Sequence, residues 1–364
     1  KNLTSRHLHG EVYHGFGYAS EFSAITGKNI EDLGIIVNNF YYNPDKMKFF
    51  YYLRFFDKLP FNKQFRLILD ILYNIKEFLI GNNQPKSIFN IPLKYSKNFD
   101  FLIKKNFFTE NSLPYPTIFD VLKNKKKISG YMWPFIFRNH KTKIDFLNIS
   151  TNTSNTDKRA FIKSISLLKE NPDVFYLHFF STDNLVHKYG TESKKTIELI
   201  KILDKYVEEI SKYADKLLIF SDHGMTDVKE TINIKKLVED EGLIFEKDYI
   251  LFLDATLARF WFFNDNAKNK IKNLLLKTKN GKIIFFKNKD IHRKFGELIF
   301  QVSPGTLILP NFYQDVDDKA THGYDEKSKD EKAFYIFRDN KNKFGKLKKN
   351  IKIQEIFNII IKNS

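Results

Sequence analysis

The chain has 364 residues, 42% of them hydrophobic, which is enough to bury one large core or two smaller ones and excludes an intrinsically disordered protein. It contains no cysteine, so disulfide staples and thiolate metal ligands are excluded, and any metal must be held by nitrogen and oxygen. The formal charge of +17 at pH 7 favours anionic partners, but lysines are scattered through Lys268 to Lys289 and Lys341 to Lys352, and no arginine-rich or aromatic-interleaved motif occurs, so nucleic acid is not expected as a specific partner.

The chain opens on Lys1-Asn-Leu-Thr-Ser, and the nearby His7, His9 and His14 read as residues of a polar, frayed end rather than a metal site. Gly17 to Gly27 contains the apolar run Phe22 to Ile25, which predicts a helix starting near Ser20. Free amides at such a start favour a bound phosphate; the plainer reading of Ser20 is an N-cap. Residues 43–148 are rich in Phe, Tyr, Asn and Lys, are punctuated by prolines, and predict an insertion or cap. Within them the aromatic run Phe49 to Phe56 precedes an amphipathic helix over Phe65 to Ile80. Packing under an active-site cap is the favoured place for this helix, with contact to a membrane surface the less favoured one. No run of about eighteen apolar residues exists, so no segment is expected to span a bilayer, and the expected location is cytoplasmic.

From Asp173 the pattern becomes regular. Val174 to Phe180 predicts an apolar strand, and beyond its end stand Asp183 and His187. His178, inside that strand, reads as a packed histidine. Ile200, Leu203, Tyr206, Val207 and Ile210 recur at helical spacing, and Leu217 to Phe220 predicts a second strand that delivers Asp222 and His223 onto a turn closed by Gly224. Parallel strands joined by a crossover helix place their C-terminal ends on one sheet edge, so Asp183 and Asp222 are expected to face one crevice. A second insertion is expected over 229–310. It includes the strand-like run Phe252 to Phe263, in which Asp254 and Arg259 are expected to pair with each other. Thr321-His-Gly-Tyr-Asp325 adds His322, and 346–364 predicts a closing helix around Ile351, Ile356, Ile359 and Ile360. The core is thus assigned to 1–42 and 149–364.

Asp183, His187, Asp222, His223 and His322 form a mixed carboxylate and imidazole set that suits two divalent metal ions, zinc first among them, and nearly fills two adjacent sites. Paired metals suit chemistry on phosphate.

Asp183-x-x-x-His187-x-x-Gly190, then Ser221-Asp-His-Gly-Met225, then His322-Gly-Tyr324, occur in this order. They resemble the alkaline phosphatase superfamily, and within it the type I phosphodiesterase and nucleotide pyrophosphatase branch. The resemblance implies an α/β fold, a three-layer α/β/α sandwich with a mostly parallel central sheet. It implies metal-dependent hydrolysis of a small-molecule or polymeric phosphate ester through a hydroxyl nucleophile. It assigns Asp183, His187 and His322 to one metal and Asp222 and His223 to the other. The remaining ligand would be an Asp ending a first strand, which is expected in a segment absent from this chain. Aligned on Thr26-Gly27, the family's nucleophile falls on Gly17 and its phosphate-contacting Asn on Ser20. Ser20 is therefore the remaining candidate for the catalytic hydroxyl. Two alternatives stay open: a phosphomonoesterase or phosphoryl transferase on the same scaffold, and a non-catalytic metal-holding protein that binds an anionic glycan or lipid. A sulfatase is disfavoured, because the Cys/Ser-x-Pro-x-Arg motif is missing.

Overall fold

The computed structural model describes residues 7–13, 20–34, 40–44, 48–79, 91–101, 113–123, 126–132, 135–138, 141–144, 153–285, 294–313, 316–340 and 348–364. His14 and Gly17, which the sequence reading singled out, lie outside them.

One sheet of the site-bearing layer is built from β1 (His7–Tyr13), β8 (Lys216–Phe220), β17 (Ala333–Asp339) and β18 (Asn350–Lys352), in the order β18-β1-β17-β8. The other is built from β4 (Ile128–Met132), β5 (Phe135–Arg138), β6 (Lys141–Ile144) and β7 (Val174–Leu177), in the order β6-β5-β4-β7. Parallel ladders join β4 to β7 and β1 to β18, while β1 to β17 and β17 to β8 are antiparallel. No ladder among the described residues joins β7 to β8, and both strands stay half-buried despite their apolar sequences.

The period of two along β7 explains the layering. Val174 and Tyr176 face a cluster with Ile25 of helix α1 (Ser20–Thr26) and Phe357 of the last helix, Glu355–Asn363. Phe175 and Leu177 face Ala160 and Leu167 of helix α6 (Thr153–Leu168). In the other sheet, Leu218 and Phe220 of β8 pack with Ala24 of α1 and Ile356 of the last helix. Those two helices therefore span both sheets on one side, and α6 covers the β4–β7 sheet on the other, which gives the expected α/β/α layering.

A further sheet, in the order β11-β12-β14-β13, lies within 249–302, with β11 Tyr249–Leu253, β12 Leu257–Phe262, β13 Gly281–Ile284 and β14 Leu298–Val302. Strands β11 and β14 are buried along their whole length, and they anchor the largest apolar cluster. Arg259 Nε lies 3.2 Å from Asp254 with both side chains fully buried, and Arg259 Nη1 donates to the Phe40 carbonyl at 3.0 Å, so the expected pairing is present.

Four local expectations differ from the structure. His7 and His9, expected in a frayed end, lie in β1, which pairs with β17 on one side and β18 on the other. Strand β7 ends at Leu177, not Phe180, because the Asp157 carboxylate accepts the amides of Phe180 and Ser181 at 2.9 and 3.1 Å and turns the chain into helix α7 (Ser181–Tyr189). On helix α8 (Lys194–Ser211), Leu199 is buried and Ile200 is exposed. The Ser193 cap and the Thr196 hydroxyl bond to Gly190 O fix the rotation of that helix at its start. Ile351 belongs to β18, which pairs with β1, and the closing helix begins only at Glu355.

Candidate metal centre

Three chain segments meet at the ends of β7 and β8. Helix α7 carries Asp183 near its start and His187 one turn later, on the same face. Strand β8 runs into Ser221 and then Asp222 and His223. The short strand β16 (Ala320–Thr321) pairs with β9 (Thr226–Asp227), which places His322 beside the loop that follows His223. Strand β16 is also tied to α7, since Lys319 N donates to His187 O at 2.7 Å. Asp183, His223 and His322 each offer a ligand atom, and these atoms lie within 4.8 Å of one another.

The donor atoms point inward for identifiable reasons. Asp183 Oδ1 is shielded from solvent and lies 3.3 Å from His187 Nε2 and 3.5 Å from His322 Nε2. His187 Nδ1 stands 2.8 Å from the Ala320 carbonyl, and His223 Nδ1 stands 2.8 Å from the Gly224 carbonyl. A carbonyl can only accept, so each Nδ1 donates, and in the neutral ring Nε2 presents its lone pair to the centre. The rings of His223 and His322 stack at 3.7 Å. The three clustered donors thus draw Asp183 and His322 from one expected set and His223 from the other, while His187 touches the cluster through Asp183 and Asp222 Oδ2 lies 3.4 Å from His223 Nε2 of its chain neighbour.

The charges of the cluster hold one another in place. Burial works to raise the Asp183 carboxyl, but the bond to His187 and the charges of His322, His187 and His223 outweigh it and hold it far below the carboxylate range. Burial works to lower His187, yet its contacts with Asp183 and Asp318 push it up to about 10. His223 is also raised, since Asp222 and Asp183 overcome its burial. A solvent-shielded carboxylate oxygen facing several imidazole Nε2 atoms fits a divalent metal of the zinc type.

The sequence matches the type I phosphodiesterase / nucleotide pyrophosphatase family over residues 9–325. The chain belongs to this family. An ectonucleotide pyrophosphatase/phosphodiesterase of Caenorhabditis elegans is 25% identical over 158 residues, covering 39% of this chain and 21% of that protein. GPI ethanolamine phosphate transferase 1 of Emericella nidulans is 37% identical over 68 residues, covering 16% of this chain and 7% of that protein. The chain thus aligns with only a minor part of the length of either curated relative. Among solved structures, human ectonucleotide pyrophosphatase / phosphodiesterase 5 superposes with a TM-score of 0.63 at 16% identity, over 99% of this chain and 87% of that one. An inactive variant of the murine protein in complex with AMP superposes with a TM-score of 0.62 at 15% identity, over 100% and 88%. The fold of this phosphodiesterase-family chain is alkaline phosphatase-like, as the motifs implied.

Three further carboxylates shape the centre of this phosphodiesterase-family chain, and sequence reasoning missed them. Asp318 Oδ2 lies 3.2 Å from His187 Nδ1, on the side of the ring away from Asp183. Glu331 is fully buried, and its carboxylate accepts from Gly323 N at 2.9 Å, Tyr324 N at 3.2 Å and Thr226 Oγ1 at 3.0 Å. Its own carbonyl accepts Gly224 N at 2.9 Å, so one residue ties the His322 turn to the Asp222-His223 loop. The backbone approach is so close that a Cβ on Gly224 would stand 2.1 Å from Asp330 O, and hence only glycine fits. Glu21 takes a bond from the Tyr176 hydroxyl at 2.8 Å and lies 3.4 Å from His178 Nδ1. Burial raises its carboxyl, and the charge of Asp222 adds to the rise. Ser20 starts α1 beside Glu21 and is 1% exposed. Only Glu21 carried a local signal, as an acidic residue in a first helical turn, which by itself indicates a dipole partner.

Metal uptake is expected to weaken as pH falls. His187 without metal holds its proton up to about 10, so a metal that binds there must displace that proton. Each pH unit lost below that value then costs up to about tenfold in affinity per proton released. Zinc titration at several pH values, in buffers of different protonation enthalpy, measures this. An affinity that does not change with pH would remove His187 from the ligand set.

Proposed function

We propose that the chain hydrolyses a phosphate ester of the diester or pyrophosphate type at a centre of two divalent cations, zinc foremost, held by Asp183, His187, Asp222, His223 and His322. The observation that carries this reading is the solvent-shielded Asp183 Oδ1 set among the Nε2 atoms of His187 and His322, with His223 alongside. Cations bound there would supply Lewis-acid polarisation of the phosphoryl oxygens and offset charge on the leaving oxygen. The protein's part is to hold geometry. Ala320 O and Gly224 O keep two imidazoles in the ligating tautomer, and Glu331 locks the two loops together. Ser20 is the proposed hydroxyl nucleophile. Glu21, next to it in the chain, keeps a proton to higher pH than an ordinary carboxyl because it is buried. The inserted regions assigned to 43–148 and 229–310 are proposed to set substrate choice, except for β4 to β6 at 128–144, which share the sheet of β7.

A second reading, phosphoryl transfer to an acceptor alcohol, is favoured by the similarity to a phosphate transferase. Both readings share one test: a model diester and a model monoester, with and without chelator, on the parent chain and on Ser20→Ala. Chelator-sensitive diester cleavage supports hydrolysis, and turnover that appears only with an added alcohol supports transfer. Zinc bound without any turnover would leave a binding protein and overturn both. If Ser20→Ala kept more than about half of the parent rate, the nucleophile assignment would fail, since losing a covalent nucleophile costs orders of magnitude.

A further inference from the structure

Helix α4 (Asn62–Leu79) carries a surface that the metal centre does not use. Its two sides are sorted against water. Phe65, Leu69 and Tyr73 pack on the largest apolar cluster, and the charged Arg66 and Asp70 are turned inward, only 6% and 7% exposed. The opposite arc carries Phe61, Leu67, Ile68, Ile71 and Leu72, which are between 44% and 58% exposed. These positions share one face at 3.6 residues per turn. The preceding segment extends the arc with Phe55, 57% exposed, whose ring lies 4.0 Å from Phe56, which in turn stacks at 3.7 Å on Phe65 of the helix. The expected packing under a cap thus accounts for one side of α4 only. A contiguous apolar face of this kind marks contact with another apolar medium rather than scattered surface residues.

The charges bordering the face have one sign. Arg54, Lys58 and Lys94 are exposed. Among the described side chains of the same stretch the acidic groups point elsewhere: Asp57 accepts the amides of Leu93 and Lys94, each at 2.9 Å, and Asp70 is buried. An isologous contact between two copies would set these basic groups against one another, which disfavours a second copy as the occupant. No helix among the described residues is long and apolar enough to cross a membrane, so α4 can lie along a bilayer but not through it.

We infer that the α4 face docks on a lipid surface rich in anionic headgroups. Phe61, Ile68, Ile71 and Leu72 enter the boundary between headgroups and acyl chains, and Arg54, Lys58 and Lys94 meet the lipid phosphates. The inference does not rest on the proposed hydrolase.

The test is flotation of the full chain with vesicles of phosphatidylcholine alone and with about 30 mol% phosphatidylserine added. The parent is expected to bind the anionic vesicles at least about tenfold more tightly than the neutral ones, and less tightly at high salt. Ile68→Ser with Ile71→Ser, and separately Arg54→Glu with Lys58→Glu, should each lose about tenfold or more of that binding. All four positions are exposed, so the melting temperature and zinc uptake should match the parent. No binding by the parent, equal binding to both vesicles, or variants that bind like the parent would overturn the inference. So would a concentration-dependent dimer that Ile68→Ser with Ile71→Ser dissolves, since that would assign the face to a second copy.

Discussion

Exchanging Asp183 for alanine is expected to lower zinc affinity by roughly two orders of magnitude or more and to abolish metal-dependent turnover. The estimate starts from binding free energies of about 10–16 kcal/mol for four-ligand zinc sites. Shared among four ligands, that is about 3 kcal/mol each, or about a hundredfold at 1.4 kcal/mol per tenfold. Asp183 should lie above this average. One of its oxygens faces the Nε2 atoms of both His187 and His322, and it would offset the charge of a cation among imidazoles. Asp183→Asn keeps the shape but not the charge and should fall between the two. Competition with a chromophoric chelator measures the affinity, and the diester assay measures turnover. If Asp183→Ala bound zinc within about threefold of the parent, the proposed centre would be wrong, because no ligand of a site with so few protein donors is that dispensable.

The second large effect is expected at Glu331. Replacing it with alanine leaves two amides and one hydroxyl, Gly323 N, Tyr324 N and Thr226 Oγ1, without their buried acceptor. At about 1–3 kcal/mol for each unmatched buried group, less what an entering water recovers, the loss of stability is about 3–5 kcal/mol. Glu331→Gln should cost less, because the amide keeps one accepting oxygen although its NH₂ meets a donor. Both variants should also bind zinc more weakly, by about tenfold to a hundredfold, because the loops carrying Asp222, His223 and His322 lose the residue that holds them in register. Chemical denaturation separates the stability effect from the zinc effect. Retained zinc affinity in a destabilised Glu331→Ala would show that the loops hold their geometry without the clamp.

Much of the site was legible before any coordinate. Asp222 and His223 stand where the apolar strand Leu217 to Phe220 runs out into a turn, and Asp183 and His187 stand at helical spacing shortly past another apolar run, both local patterns that neighbouring residues alone produce, while His322 was legible only from its motif. The pairing of Asp254 with Arg259 was legible for a similar reason, since charged groups inside an apolar strand run need a partner close by. The boundaries were less legible. Val174 to Phe180 is apolar apart from His178, and nothing in that run shows that Asp157, from a helix upstream, caps it early. Ile200 matches the helical period as well as Leu199 does, so the rotation of α8 was decided by the hydroxyl bond from Thr196 to Gly190 O. The amphipathicity of α4 was plain from its apolar recurrence, but the sequence pattern could not say that the charged Arg66 and Asp70 would face inward and the isoleucines outward.

Local chemistry, then, accounts for the ligand types, the alternation of strand and helix, and the family motifs, because each depends on residues within a few positions of one another. Contacts between distant positions decided the rest. The His187 ring is held by Ala320, 133 positions away, and Glu331 clamps a loop that begins more than a hundred positions earlier, with 105 positions between it and Thr226. Glu331 sits in a charged run that reads as solvated surface, and only the packing of β9, β16 and β17 removes it from water. Burial is a property of the assembled layers and not of the neighbouring letters, so the supporting carboxylates and the exposed apolar face emerged only with the tertiary structure.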